Sequence, residues 1–112
     1  MKIYYNARCS KCRQALSLIK SKGKDAEIVD YLNNPPSTET LEQILKMLNL
    51  KPFDLVRKKE PEFIKNFKNR TLSDEDWLKV LAENPKLIER PIIIKGNKAV
   101  IGRPPEKVLD LI

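Results

Sequence analysis

The strongest constraint on how this chain can fold is a change of hydrophobic period close to its start. Lys2 to Asn6 is short, β-branched and aromatic, and it stops at a polar loop, which predicts a first strand. From Lys11 to Lys22 the period switches. Cys12, Ala15, Leu16 and Ile19 recur at i, i+3, i+4 and i+7, one apolar face of a helix, and Gly23 is placed to end it. Ala26 to Leu32 returns to strand character. Two strands joined through a helix pair in parallel by a right-handed crossover, so the opening of the chain reads as a βαβ unit.

The first turn of that unit, Asn6-Ala7-Arg8-Cys9-Ser10-Lys11-Cys12-Arg13, carries both cysteines of the chain. A thiol at a strand-to-helix junction meets unpaired backbone N–H groups and the positive end of the helix dipole, and Arg8, Lys11 and Arg13 add cationic charge nearby. Cys9 is therefore the expected attacking thiolate. Cys12 falls one turn inside the helix, in reach for a disulfide that would resolve an adduct on Cys9. Two buried structural thiols are the plainer alternative, against which the C-x-x-C spacing at this junction favours redox chemistry. Arg8 and Arg13 read as electrostatic background.

Beyond Asn33-Asn34-Pro35-Pro36, Ser37 or Thr38 can cap a helix whose core face is Leu41, Ile44, Leu45 and Leu48 and which ends near Asn49. Pro52 opens a short helix through about Lys58, and Phe63, Ile64 and Phe67 resume the pattern after Pro61, so the whole middle region is expected to be helical. Ser73-Asp74-Glu75-Asp76 starts a further helix with Trp77 in its core. Pro91-Ile92-Ile93-Ile94-Lys95 and Lys98-Ala99-Val100-Ile101 flank Gly96-Asn97 as a hairpin, and Glu106 to Ile112 is a closing helix with Val108, Leu109 and Ile112 inward.

A length of 112 residues and a hydrophobic content of 41% suit one domain, with a helical insertion over about residues 37–88. No apolar run is long enough to span a bilayer, the first residues do not read as a signal peptide, and a cytoplasmic location is expected. In a reducing compartment two cysteines suggest a cycling dithiol more than a permanent staple, and they cannot make a four-thiolate zinc site; no metal is expected. The chain has no histidine, which removes Cys-His and Ser-His dyads and leaves helix dipole and cations to activate a nucleophile. A net charge of +7 favours anionic partners, but the lysines are interleaved with acids as on an ordinary solvated surface. Nucleic acid is not favoured, since no known binding motif or interleaved aromatic set accompanies the charge.

The order of elements resembles a thioredoxin-like α/β layout with a four-stranded mixed sheet. In that fold a cis-proline precedes the third strand beside the reactive cysteine, and Pro91 is the candidate. More specifically, Tyr5-Asn6-Ala7-Arg8-Cys9-Ser10-Lys11-Cys12-Arg13-Gln14-Ala15-Leu16, Tyr31-Leu32-Asn33-Asn34-Pro35-Pro36-Ser37, Val56-Arg57-Lys58, Leu87-Ile88-Glu89-Arg90-Pro91-Ile92 and Ile101-Gly102-Arg103-Pro104-Pro105-Glu106 together resemble the arsenate reductase (ArsC) family, nearly end to end. The resemblance implies Cys9 as nucleophile, with Arg57, Arg90 and Arg103 around the oxyanion. Forked guanidinium donors and loop amides leading into a helix suit a tetrahedral oxyanion, and the same cations would depress the thiol pKa. It also implies no bound cofactor, arsenate as substrate, and an external thiol donor of the glutathione, glutaredoxin or thioredoxin kind. One position departs from the pattern: arsenate reductases of the family commonly carry serine where this chain has Cys12. Spx-type regulators of the same fold family do carry C-x-x-C, as a redox switch, and act by binding RNA polymerase, which makes a redox-switched binding protein the competing expectation. A general dithiol oxidoreductase that has dropped the oxyanion is a third.

Overall fold

A computed structural model describes residues 1–112, every residue of the chain. Its sheet has four strands in the order β2-β1-β3-β4: β1 (Lys2–Tyr4), β2 (Glu27–Val29), β3 (Ile92–Lys95) and β4 (Lys98–Ile101). β1 pairs in parallel with β2, Ile3 opposite Ile28, through the helix α1 (Ser10–Ser21), and antiparallel with β3, Ile3 opposite Ile93. β3 and β4 form the hairpin, with Gly96 at φ 62 in its turn, a left-handed position that glycine takes without a Cβ penalty. This is the expected mixed α/β sheet.

The chain divides into two units, Met1–Asn34 with Arg90–Ile112, and Pro35–Glu89. In the first, Ile3 and Ile93 of the sheet pack against Ala15, Leu16 and Ile19 of α1 and against Val108 and Leu111 of the closing segment. That closing segment differs from expectation. Pro105–Leu111 is a 3₁₀ helix, and its buried residues Pro105, Val108 and Leu111 recur every third position, as three residues per turn require. Leu109 and Ile112, expected inward from an α-helical period, are instead 39% and 37% exposed.

The first two strands are shorter than the sequence suggests. β2 pairs with β1 alone, and their ladder closes with the Tyr5 N–H donating to the Val29 carbonyl at 3.0 Å. Past that point Tyr31 lies in a turn, its N–H on the Val29 carbonyl at 3.0 Å, and its side chain is fully buried.

The second unit holds α2 (Thr38–Leu48), α3 (Pro61–Asn66) and α4 (Asp74–Glu83). Ser37 and Ser73 cap α2 and α4, their hydroxyls accepting from the N–H groups of Thr40 and Asp76 at 3.1 Å each. Asn49 ends α2 in the left-handed conformation at φ 56. Trp77 is buried among Phe53, Phe63 and Phe67, whose ring centroids lie 5.1, 6.2 and 6.1 Å from its own. The unit is not entirely helical. After the 3₁₀ turn Pro52–Leu55 the backbone extends, and Val56 pairs antiparallel with Ile88; the Arg57 N–H donates to Leu87 at 2.7 Å and the Glu89 N–H to Leu55 at 2.8 Å. Buried extended backbone needs such partners: the residues flanking Val56 and Ile88 bond across the bridge, while the Val56 and Ile88 N–H groups donate to the Phe53 and Pro85 carbonyls.

Candidate active site

Cys9 is the N-cap of α1. Its backbone is extended, its N–H bonds the Asn6 carbonyl at 2.9 Å to close the loop, and its Sγ accepts from the Cys12 N–H at 3.4 Å. The first turn of α1 contains no acidic residue to compete for the amides there. The loop that delivers the thiol is clasped at two points: Asn6 Oδ1 accepts from the Arg8 N–H at 3.0 Å, and Arg13 Nη1 donates to the Ala7 carbonyl at 2.6 Å. Arg13 thus braces the loop.

Two arginines from distant parts of the sequence reach the same sulfur. Arg103 Nη2 lies 3.8 Å from Cys9 Sγ, and its Nε donates to the Arg90 carbonyl at 2.6 Å. The Arg90 side chain hydrogen-bonds Cys9 and also Tyr31. Its Nε is buried with no acceptor in the protein, a state that costs about 1–3 kcal/mol and that cores avoid elsewhere. Both arginines sit at the start and end of the β3–β4 hairpin, each before a proline. The Arg90–Pro91 and Arg103–Pro104 peptide bonds are both cis. The likeness to the thioredoxin-like fold points to Pro91 as a cis-proline, whereas nothing in the sequence singles out Pro104. Gly102 permits the close approach of the two ends. Its N–H donates to the Pro91 carbonyl at 2.8 Å, and a Cβ on it would lie 2.9 Å from the Pro91 ring.

The two thiols are driven apart in acidity. Burial pushes the Cys9 thiol up, but the Cys12 amide and thiol and the Arg90 guanidinium outweigh it and bring the pKa down to about 7. For Cys12, burial dominates; a backbone hydrogen bond from Asn6 opposes it, the Cys9 sulfur reinforces it, and the pKa rises to about 12. Near neutral pH one thiol is thus substantially ionised while its neighbour holds its proton and can donate it to the first. Both cysteines are free and buried, Cys12 completely. A half-ionised thiolate flanked by two guanidinium groups and helix amides is suited to attack an electrophile that carries negative oxygens.

Arg57 belongs to the second unit, where its guanidinium faces Glu60 at 3.3 Å and Glu89 at 3.7 Å. Tyr31, Gly102 and the backbone of Asn6 join Cys9, Cys12, Arg90 and Arg103 in the first unit without having been singled out as site residues. All three fall in the stretches that carry the ArsC resemblance, Tyr31 at the head of its second one, which is the signal by which they could have been found. No group of three or more His, Cys, Asp or Glu side chains is placed to hold a metal ion, and no helix is long and apolar enough to cross a membrane.

Residues 4–111 match the model of the ArsC family. The chain belongs to that family. It is 43% identical to the Escherichia coli (strain K12) protein "Uncharacterized protein YfgD", over all of this chain and 96% of that one. It is 40% identical to the arsenate reductase of Haemophilus influenzae, covering 98% of this chain and 97% of the relative. Among solved structures, the arsenate reductase from Vibrio cholerae superposes with a TM-score of 0.93 at 38% identity, over 99% of this chain and 96% of that one. The thioredoxin-like α/β fold is that of this family.

Proposed function

We propose that the protein is a thiol-dependent arsenate reductase in which Cys9 is the nucleophile, Arg90 and Arg103 hold the oxyanion, and Cys12 is the resolving thiol. The observation that carries this reading is the Cys9 sulfur at the N-terminus of α1, held at a pKa of about 7 with Arg103 Nη2 at 3.8 Å. Arsenate reductases among the relatives support the substrate. The Cys9 thiolate bonds to arsenic as one arsenate oxygen leaves as water, with the remaining oxygens on the guanidinium groups and first-turn amides. The Cys12 sulfur then attacks Cys9 Sγ. The S–As bond breaks with its electron pair going to arsenic, As(V) becomes As(III), the two thiols become one disulfide, and the Cys12 proton passes to a departing arsenite oxygen. An external donor of the glutathione, glutaredoxin or thioredoxin class returns the two electrons.

Arsenite release by the purified protein with arsenate and such a donor tests the reading, and Cys9→Ser should abolish it. Absence of turnover, together with equal arsenate affinity for wild type and Cys9→Ser, would sink the assignment. Cys12 beside Cys9 favours one other reading, a redox-switched protein that binds RNA polymerase. Recovery of polymerase from a lysate by only the oxidised or only the reduced form would support that reading, whereas glutaredoxin or thioredoxin trapped on Cys12→Ser would support the reductase.

A further inference from the structure

The buried phenol of Tyr31 is a polar group of the first unit that neither the sheet nor the proposed chemistry accounts for. Tyr31 is 0% exposed, its hydroxyl oxygen is shut off from solvent, and its ring leans on Tyr4 with centroids 6.3 Å apart. Past the end of β2 the backbone bonds are those of a turn, the Tyr31 N–H on the Val29 carbonyl at 3.0 Å and the Asn34 N–H on the Asp30 carbonyl at 2.9 Å. Its hydrogen-bond partner is the Arg90 side chain, which bonds Cys9 as well. Arg90 in turn carries Arg103 on its carbonyl at 2.6 Å, and Arg103 reaches Cys9 Sγ at 3.8 Å.

We infer that Tyr31 is a positioning residue: its hydroxyl holds the Arg90 guanidinium against the Cys9 sulfur, and so sets how much of that thiol is ionised. A long side chain on a surface loses rotamer freedom when it is pinned in one place, and a single bond to a sulfur is a weak anchor. With the phenol oxygen as a second anchor, the positive charge stays beside the thiolate instead of sampling solvent. A phenol suits the task. Its oxygen can accept from a guanidinium N–H without having to be ionised, as a carboxylate at the same place would be.

The inference deepens the reductase reading and rests on it for the oxyanion, but its test does not involve arsenate. The rate of Cys9 alkylation by iodoacetamide, measured by mass spectrometry across the pH range, reads the thiolate directly. Tyr31→Phe keeps the ring and removes only the hydroxyl. Its alkylation midpoint should rise by about half a pH unit or more, about a threefold loss of reactive thiolate below the midpoint. Tyr4→Phe, which removes the hydroxyl of the neighbouring ring, a group not among those that act on the Arg90 guanidinium, should leave the midpoint in place, and urea unfolding of both variants separates an acidity effect from a loosened fold. An unchanged midpoint in a folded Tyr31→Phe protein overturns the inference, as does an equal shift in Tyr4→Phe. Wild-type protein that turns over no arsenate yet shows the Tyr31→Phe shift would overturn the reductase reading alone.

Discussion

At pH 7 limited iodoacetamide should modify Cys9 and leave Cys12 almost untouched. With pKa values of about 7 and about 12, half of the Cys9 thiols but only about one in a hundred thousand Cys12 thiols are ionised at that pH. Ionisation alone therefore favours Cys9 by more than four powers of ten. The more basic thiolate is the better nucleophile, however, and a Brønsted slope of about 0.4–0.5 over that interval returns roughly two powers of ten to Cys12. The net preference is on the order of several hundredfold in rate, before the complete burial of Cys12 widens it. Peptide mapping by mass spectrometry after brief labelling measures the ratio, and the same protein oxidised mildly should yield a Cys9-to-Cys12 disulfide in a non-reducing digest. Comparable labelling of the two thiols would refute the electrostatic account. Failure to find the bridge at any oxidant level would remove Cys12 as the resolving thiol and leave Cys9 dependent on an external one.

Three further outcomes follow from the same geometry. Between pH 7 and its ordinary value of 9.0, the Cys9 thiol is released of its proton in the folded chain and protonated in the unfolded one, so stability should rise with pH by up to about 1.4 kcal/mol per unit and be lost as pH falls through 7. Cys12, protonated when folded up to about 12, reverses the slope above 9.0; urea unfolding of Cys9→Ser and Cys12→Ser should show the rise missing from the first and the fall reduced in the second. Gly102→Ala would bring a Cβ to 2.9 Å from the Pro91 ring and 3.1 Å from Ile93, costing about 1–3 kcal/mol of stability; a neutral urea midpoint would show that the hairpin ends can part freely. Trp77→Ala should cost about 3–5 kcal/mol because three phenylalanine rings lose their common neighbour, and a loss near zero would mean that the aromatic cluster is dispensable to the second unit.

The features legible in the sequence are those whose physics is local. The strand-helix-strand opening, the Ser37 and Ser73 caps, the end of α2 near Asn49 and the Gly96 turn depend on residues within a few positions of one another. So does the placing of Cys9 at the start of α1, which follows from the switch of period around it. Where pairing partners are remote, local pattern misleads: β2 stops at Val29 because β1 offers no further partner, and Val56 finds Ile88 in a stretch that reads as helix. The closing segment fails for a different reason, since a 3₁₀ and an α-helix differ by less than one residue per turn and only packing on α1 and the sheet decides that Leu111, not Leu109, is buried.

The candidate site divides in the same way. Which thiol caps the helix was written in the sequence, and the resemblance to ArsC proteins named Arg90 and Arg103, but no spacing along the chain brings Arg103 to within 3.8 Å of a sulfur 94 residues away. The antiparallel hairpin does that, by returning the chain past Gly102 to the Pro91 carbonyl and so setting both guanidinium groups beside the same cysteine. The split in acidity between Cys9 and Cys12 likewise belongs to tertiary structure. Two thiols three residues apart are chemically alike in the unfolded chain and differ only once burial dominates at one and hydrogen bonds and the Arg90 guanidinium outweigh it at the other.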